Sequence, residues 1–100
     1  MKYEIVLSPE AAQTYKALGA RQKAEVRETI ELHLRHEPTK ISKSRIKRLR
    51  GLSRPQYRLR IGELRIYYDV SSSTVEVLAI VEKSKSVEWL KKAGEPEWKK

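Results

Sequence analysis

Residues 57–70 read Tyr-Arg-Leu-Arg-Ile-Gly-Glu-Leu-Arg-Ile-Tyr-Tyr-Asp-Val, and they carry the arrangement with the clearest chemical content. Gly62-Glu63 separates two alternating runs, and glycine at the first of two loop positions favours a type II′ hairpin. With that loop, Ile61 faces Leu64, Arg60 faces Arg65, Leu59 faces Ile66, Arg58 faces Tyr67 and Tyr57 faces Tyr68. Side chains alternate between sheet faces. Tyr57, Leu59, Ile61, Leu64, Ile66, Tyr68 and Val70 therefore share one face, the expected core side. Arg58, Arg60, Arg65, Tyr67 and Asp69 share the other. Arg60 across from Arg65 is a like-charge pair, which costs a solvated hairpin on the order of a few tenths of a kcal/mol. Nothing in folding asks for it. An anion between the two turns repulsion into attraction, and the planar guanidinium fork suits phosphate oxygens. The competing reading is a solvated face on which Glu63, Asp69 or Glu76 neutralises the arginines.

The chain upstream favours phosphate. From Thr39 to Gly62 there is no acidic residue, while Lys40, Lys43, Arg45, Lys47, Arg48, Arg50, Arg54, Arg58 and Arg60 all fall there. Lys47, Arg48, Arg50 and Arg54 are expected to continue the positive field of the hairpin and to contact substrate. The formal charge of +9 attracts polyanions at long range, with nucleic acid, an anionic membrane face or an acidic protein as candidate partners. Tyr67 and Trp89 are the expected platforms for stacked bases, each stack contributing roughly 1–3 kcal/mol. Tyr57 is assigned to the core.

Other chemistries find little support. The absence of cysteine removes disulfides, thiolate metal sites and cysteine nucleophiles. His33 and His36 are three apart on a helix, but no acid pair completes a metal site with them. There is no glycine-rich phosphate loop and no G-x-S-x-G motif. An enzyme built from these residues would work with Arg, Lys and aromatic groups, without a metal or other cofactor. No secretory signal is visible at the N-terminus and no apolar run approaches a membrane span, so the expected location is cytoplasmic, with no membrane partner.

The elements that must position the hairpin follow from pattern. The chain's 100 residues, 39% of them hydrophobic, suit one folded domain. Tyr3, Ile5 and Leu7 alternate as a strand. Ser8-Pro9-Glu10 starts a helix that runs to about Leu18, with Gly19 as its expected stop. A second helix begins near Ala20 or Arg21 and ends before Pro38, with Val26, Ile30 and Leu34 as its apolar stripe. Residues 39–55 read as a long loop with a short helical piece at 46–49. Strands follow at 56–61, 64–70 and 74–82. A short helix spans 86–93, capped by Ser86 and stopped by Gly94. The predicted class is α+β, ordered β-α-α-β-β-β, with an antiparallel sheet covered on one face by the helical hairpin and a short C-terminal helix. One domain is expected over 1–94 and a flexible basic tail over 95–100.

This order of elements, together with residues 57–70, resembles the RelE/ParE toxin superfamily and its recurrent Y-R-L-R-x-G-x-x-R-x-x-Y pattern. The opening strand and helix and Leu49-Arg50-Gly51-Leu52 resemble it as well. The resemblance implies a single RelE-like domain, the toxin of a type II toxin–antitoxin system. Such toxins cleave mRNA in the ribosomal A site and are silenced by a cognate antitoxin. Carried over by position, Arg58 and Arg60 match the family's hairpin cations, Arg65 the arginine of the next strand and Lys83 the basic residue after the last strand. Trp89 falls where a tyrosine is often found. The chain departs from the family in having arginine at 58 and 60 where some members have lysine, lysine at 83 for arginine, and tryptophan at 89.

The mechanism so implied is metal-free transesterification, in which the RNA 2′-hydroxyl attacks its own 3′-phosphate. Arg60 and Arg65 would hold the non-bridging oxygens as negative charge builds, and Lys83 would serve as proton donor or acceptor. Two alternatives share the surface features: a ParE-like inhibitor of DNA gyrase, and a non-catalytic nucleic-acid-binding module.

Overall fold

The computed structural model describes residues 2–97. Strand β1 (Glu4–Leu7) ends at Ser8, whose hydroxyl accepts from the Ala11 N–H at 3.0 Å and donates to the Leu78 carbonyl at 2.7 Å. One side chain thus caps helix α1 (Pro9–Ala17) and ties its start to the sheet, with proline at a position that needs no N–H partner. Gly19 is not the left-handed stop expected after this helix. Leu18 ends α1, its N–H bonded to the Tyr15 carbonyl at 3.1 Å, and Gly19 (φ −67°) caps helix α2 (Ala20–Leu34). Both linker residues are extended, a conformation that needs no glycine. Val26, Ile30 and Leu34 form the buried stripe of α2, as the spacing predicts.

The helical piece expected at 46–49 is instead strand β2 (Ile46–Arg48). Its backbone pairs with the open edge of β4 (Tyr57–Ile61), and the extended form lets Ile46 reach the core, where it is 2% exposed. Strand β3 (Leu52–Arg54) follows in the same segment. The hairpin is β4 with β5 (Leu64–Val70), and β6 (Thr74–Glu82) is the longest strand.

The main sheet runs β1-β6-β5-β4-β2. β1 pairs parallel to β6, so the sheet is mixed and not antiparallel throughout. The reason is topological: the two helices carry the chain over one face from β1 to the far edge at β2, and the antiparallel steps β2–β4–β5–β6 then bring β6 back alongside β1 in the same direction. Between the sheet and α1–α2 lies the main core, which takes in Leu59, Ile61, Ile66 and Tyr68.

The other face is covered in part. Helix α3 (Ser86–Ala93) lays Trp89 and Leu90 over Tyr67, Ala79 and Val81, with Leu49 beside them. Its first-turn cap is Lys85, while the Ser86 hydroxyl donates to the Lys83 carbonyl at 2.9 Å. A Cβ on Gly94 would stand 2.6 Å from the Leu90 carbonyl oxygen and 3.2 Å from a Leu52 methyl, so glycine lets α3 end hard against β3. The chain then forms β7 (Glu95–Pro96) on β3, and the Glu97 N–H reaches the Gly51 carbonyl at 3.1 Å. The first part of the expected tail is therefore tied down by backbone pairing; residues 98–100 lie outside the described residues. Among the described residues no helix is long and apolar enough to cross a membrane.

Candidate nucleic-acid interface

The hairpin has the register read from the sequence: Arg60 pairs with Arg65, Arg58 with Tyr67, and Tyr57 with Tyr68. Gly62 has φ +54° and no non-glycine residue among those described has positive φ, as a type II′ loop demands. The three arginines lie on the sheet face opposite α1 and α2, but at different depths. Arg60 is exposed and Arg58 half-buried, whereas Arg65 is 5% exposed. Arg65 Nη1 donates at 2.9 Å to the carbonyls of both Gly62 and Leu64, so the guanidinium braces the turn. The expectation that Arg65 opens freely to an anion is corrected here. It lies below the surface, where its head finds carbonyl acceptors in place of water. Burial, then the charges of Arg60 and Arg58, pull its pKa below the ordinary arginine value. Arg65 thus lies in the field of the other two.

Two further cations belong to this end of the sheet. Lys47 of β2 is directly opposite Arg58. The backbone N–H of Lys83 donates to the Glu63 carbonyl at 2.7 Å, which fixes this residue beside the hairpin loop.

The remaining upstream cations divide. Arg48 stands on the helix side, its guanidinium carbon 5.2 Å from the centroid of Tyr57 and its Nη1 donating to the Gln56 carbonyl at 2.9 Å. Strand alternation puts it on the face away from Lys47, so it is not part of the cationic surface. Arg50 is exposed next to Gly51, with no side-chain partner among the described hydrogen bonds. Arg54 is committed to carboxylates, 3.1 Å from Asp69 and 3.4 Å from Glu76. The expected phosphate role for Arg54 is thereby replaced by a structural one, because Asp69 and Glu76 face each other across β5 and β6 and need a cation between them.

Tyr67 and Trp89 also differ from expectation. Their rings stack on each other, 4.9 Å apart and inclined by 13°, and Tyr67 is 2% exposed. Trp89 Nε1 donates to Glu10 at 2.8 Å. Tyr67 therefore has no open face for a base, and Trp89 serves as the clasp of α3. Apolar Ala79 and Val81 beside Tyr67 made that strip something to cover, and the amphipathic α3 covers it. Trp89→Ala is expected to cost about 2 kcal/mol in urea unfolding, with loss of amide protection across α3. Trp89→Phe keeps a stacked ring and is expected to cost about 1 kcal/mol, the bond to Glu10 alone.

Asp69 anchors the other end of the hairpin. Its Oδ1 accepts from the Gln56 N–H at 2.7 Å, and Gln56 Oε1 accepts from the Val70 N–H at 2.9 Å. Burial raises the Asp69 pKa above its ordinary value, against the opposing pull of the Gln56 N–H and Arg54. The folded chain therefore holds this proton more tightly than the unfolded chain does. That contribution favours folding below the ordinary carboxylate range and is lost as pH rises through the raised value. Urea midpoints measured across that window are expected to carry this slope, and Asp69→Asn to remove it.

Sequence reasoning missed the Lys47–Arg58 pairing and the clasp to Glu10. The first had a signal, since Arg45-Ile46-Lys47 alternates as a strand does. The second had none, because residues 10 and 89 meet only in the folded chain.

The fold can be compared with solved structures. A chain of the archaeal RelE–RelB complex from Pyrococcus horikoshii superposes with a TM-score of 0.69 at 20% identity, covering 85% of this chain and 99% of that one. The RelBE2 toxin–antitoxin complex of Mycobacterium tuberculosis gives 0.64 at 24% identity, covering 82% and 99%. The YoeB dimer of Staphylococcus aureus gives 0.57 at 19% identity, covering 79% and 94%. No family model matches the sequence, and no curated protein sequence does. The chain has the RelE-like fold, as the hairpin motif implies.

Proposed function

We propose that this protein is the toxin of a toxin–antitoxin pair and that it cuts messenger RNA in the ribosomal A site. The observation that carries the reading is the set Arg58, Arg60 and Arg65, three cations on one sheet face with Arg60 directly opposite Arg65. Among the described ion pairs none involves any of them. A scaffold needing only solubility would match these charges with acids, as it does at Arg54.

In this reading the 2′-oxygen attacks the adjacent phosphorus and the bond from phosphorus to the 5′-oxygen breaks. The products are a 2′,3′-cyclic phosphate and a 5′-hydroxyl. Arg60 holds the non-bridging oxygens as charge builds, Arg65 adds positive potential from beneath, and Arg58 adds its charge from the neighbouring position on β4. Lys83, fixed beside the loop, takes the proton of the 2′-hydroxyl or gives one to the leaving 5′-oxygen, and solvent water carries the other proton. The chemistry asks for no metal or cofactor. The P. horikoshii and M. tuberculosis structures of like fold are toxin–antitoxin complexes, which supports a cognate antitoxin as partner here. A chain of charge +9 suits an acidic one.

The test is inducible expression followed by mapping of new RNA ends. Ends within translated reading frames, absent when translation is blocked, support the proposal. DNA-damage signalling without message cleavage would favour gyrase inhibition. Salt-dependent RNA binding that never yields product would favour a binding module.

A further inference from the structure

The hairpin pair is not alone. Lys47 and Arg58 face each other across β2 and β4, so two like-charge pairs stand in tandem on one sheet face. We propose that the Lys47–Arg58 pair is a second phosphate subsite, one nucleotide away from the Arg60–Arg65 subsite, so that single-stranded RNA runs along β4. The inference rests on the functional reading above and adds the path of the substrate.

Arg58 and Arg60 are two residues apart on one strand, about 6.8 Å, close to the length of one extended nucleotide. Beside Arg58 on the β5 side, Tyr67 lies under Trp89, and this apolar wall closes the way toward β6. On its other side lies β2, the edge of the sheet, with Lys47 exposed. Arg45 holds that edge in place, its Nη1 donating to the Arg60 carbonyl at 2.9 Å. A strand bound at Arg60 is thus steered along β4 toward Lys47. Arg58 also keeps a buried Nε that has no hydrogen-bond partner among the described residues. Carboxylates could have been placed on Lys47 and Arg58, since Arg54 takes two, but no acid occurs between Thr39 and Gly62.

The test uses 2′-O-methyl oligoribonucleotides, which lack the attacking hydroxyl, with one, two or three internucleotide phosphates. Binding is measured across a salt series for the wild type, Lys47→Ala, Arg48→Ala and Arg60→Ala. The second phosphate is expected to steepen the wild-type slope of log affinity against log salt by about 0.7. Lys47→Ala should lose that increment. Arg48→Ala, which removes the same charge from the opposite face, should keep it. Survival of the increment in Lys47→Ala, or its equal loss in both variants, overturns the subsite. An acidic peptide competing equally well against wild type and Lys47→Ala, while RNA shows no increment, also overturns it. Arg60→Ala binding the one-phosphate probe as the wild type does would instead defeat the functional reading itself, whatever Lys47 does.

Discussion

Arg60→Ala is expected to lower message cleavage by about 10²–10³-fold while shifting the unfolding free energy by less than about 0.5 kcal/mol. The separation of the two effects follows from where this side chain stands. Arg60 is exposed, and the hydrogen bonds it makes are those of its backbone, to Arg45. Its removal relieves repulsion with Arg65, so the fold gains slightly if anything. On the proposed function, what is lost is a charged fork aimed at oxygens whose negative charge grows during the reaction. Arg60→Lys keeps the charge and loses the fork, so it should fall between the two. Single-turnover cleavage of a translated message, read by primer extension, measures the rate. Urea unfolding measures stability. Full activity in Arg60→Ala would remove the hairpin from the chemistry.

The largest effect on stability is expected one residue away. Leu59 is 0% exposed, lies between Arg58 and Arg60 in the chain, and is flanked by Ile46 on β2 and Ile66 on β5. Leu59→Ala is expected to cost about 3–4 kcal/mol, from lost burial and the cavity left behind. For a domain whose whole stability is about 5–15 kcal/mol, that is a large share. Leu59→Met keeps the volume and should cost less than about 1.5 kcal/mol. Equilibrium unfolding with an unchanged denaturant slope would show that the native state alone is affected. Cleavage by Leu59→Ala should recover on cooling where the folded fraction recovers. Activity lost by Arg60→Ala should not. Neighbouring residues on one strand thus answer to different physics, burial for one and developing charge for the other.

The hairpin was legible because its rules are local. A two-residue loop with glycine first sets the register, register sets which residues face each other, and a period of two sets the faces. Arg60 opposite Arg65 follows without knowledge of the rest of the chain. The stripe Val26, Ile30 and Leu34 and the Ser8 cap follow from equally local rules. Arg54 shows where this stops. In sequence it is one more cation in an acid-free stretch, while Asp69 and Glu76, its two partners, arrive on later strands.

By itself, then, the sequence determined the α+β class, the hairpin register, the cationic character of one sheet face and the resemblance to a known fold, since each depends on neighbours in the chain or on net composition. Only the tertiary structure decided that β1 runs parallel to β6, that Ile46 belongs to a strand, that Arg65 sits below the surface and that Tyr67 and Trp89 satisfy each other. Those outcomes rest on contacts between distant segments, where an apolar strip or an unpaired strand edge takes whatever element reaches it first with matching surface.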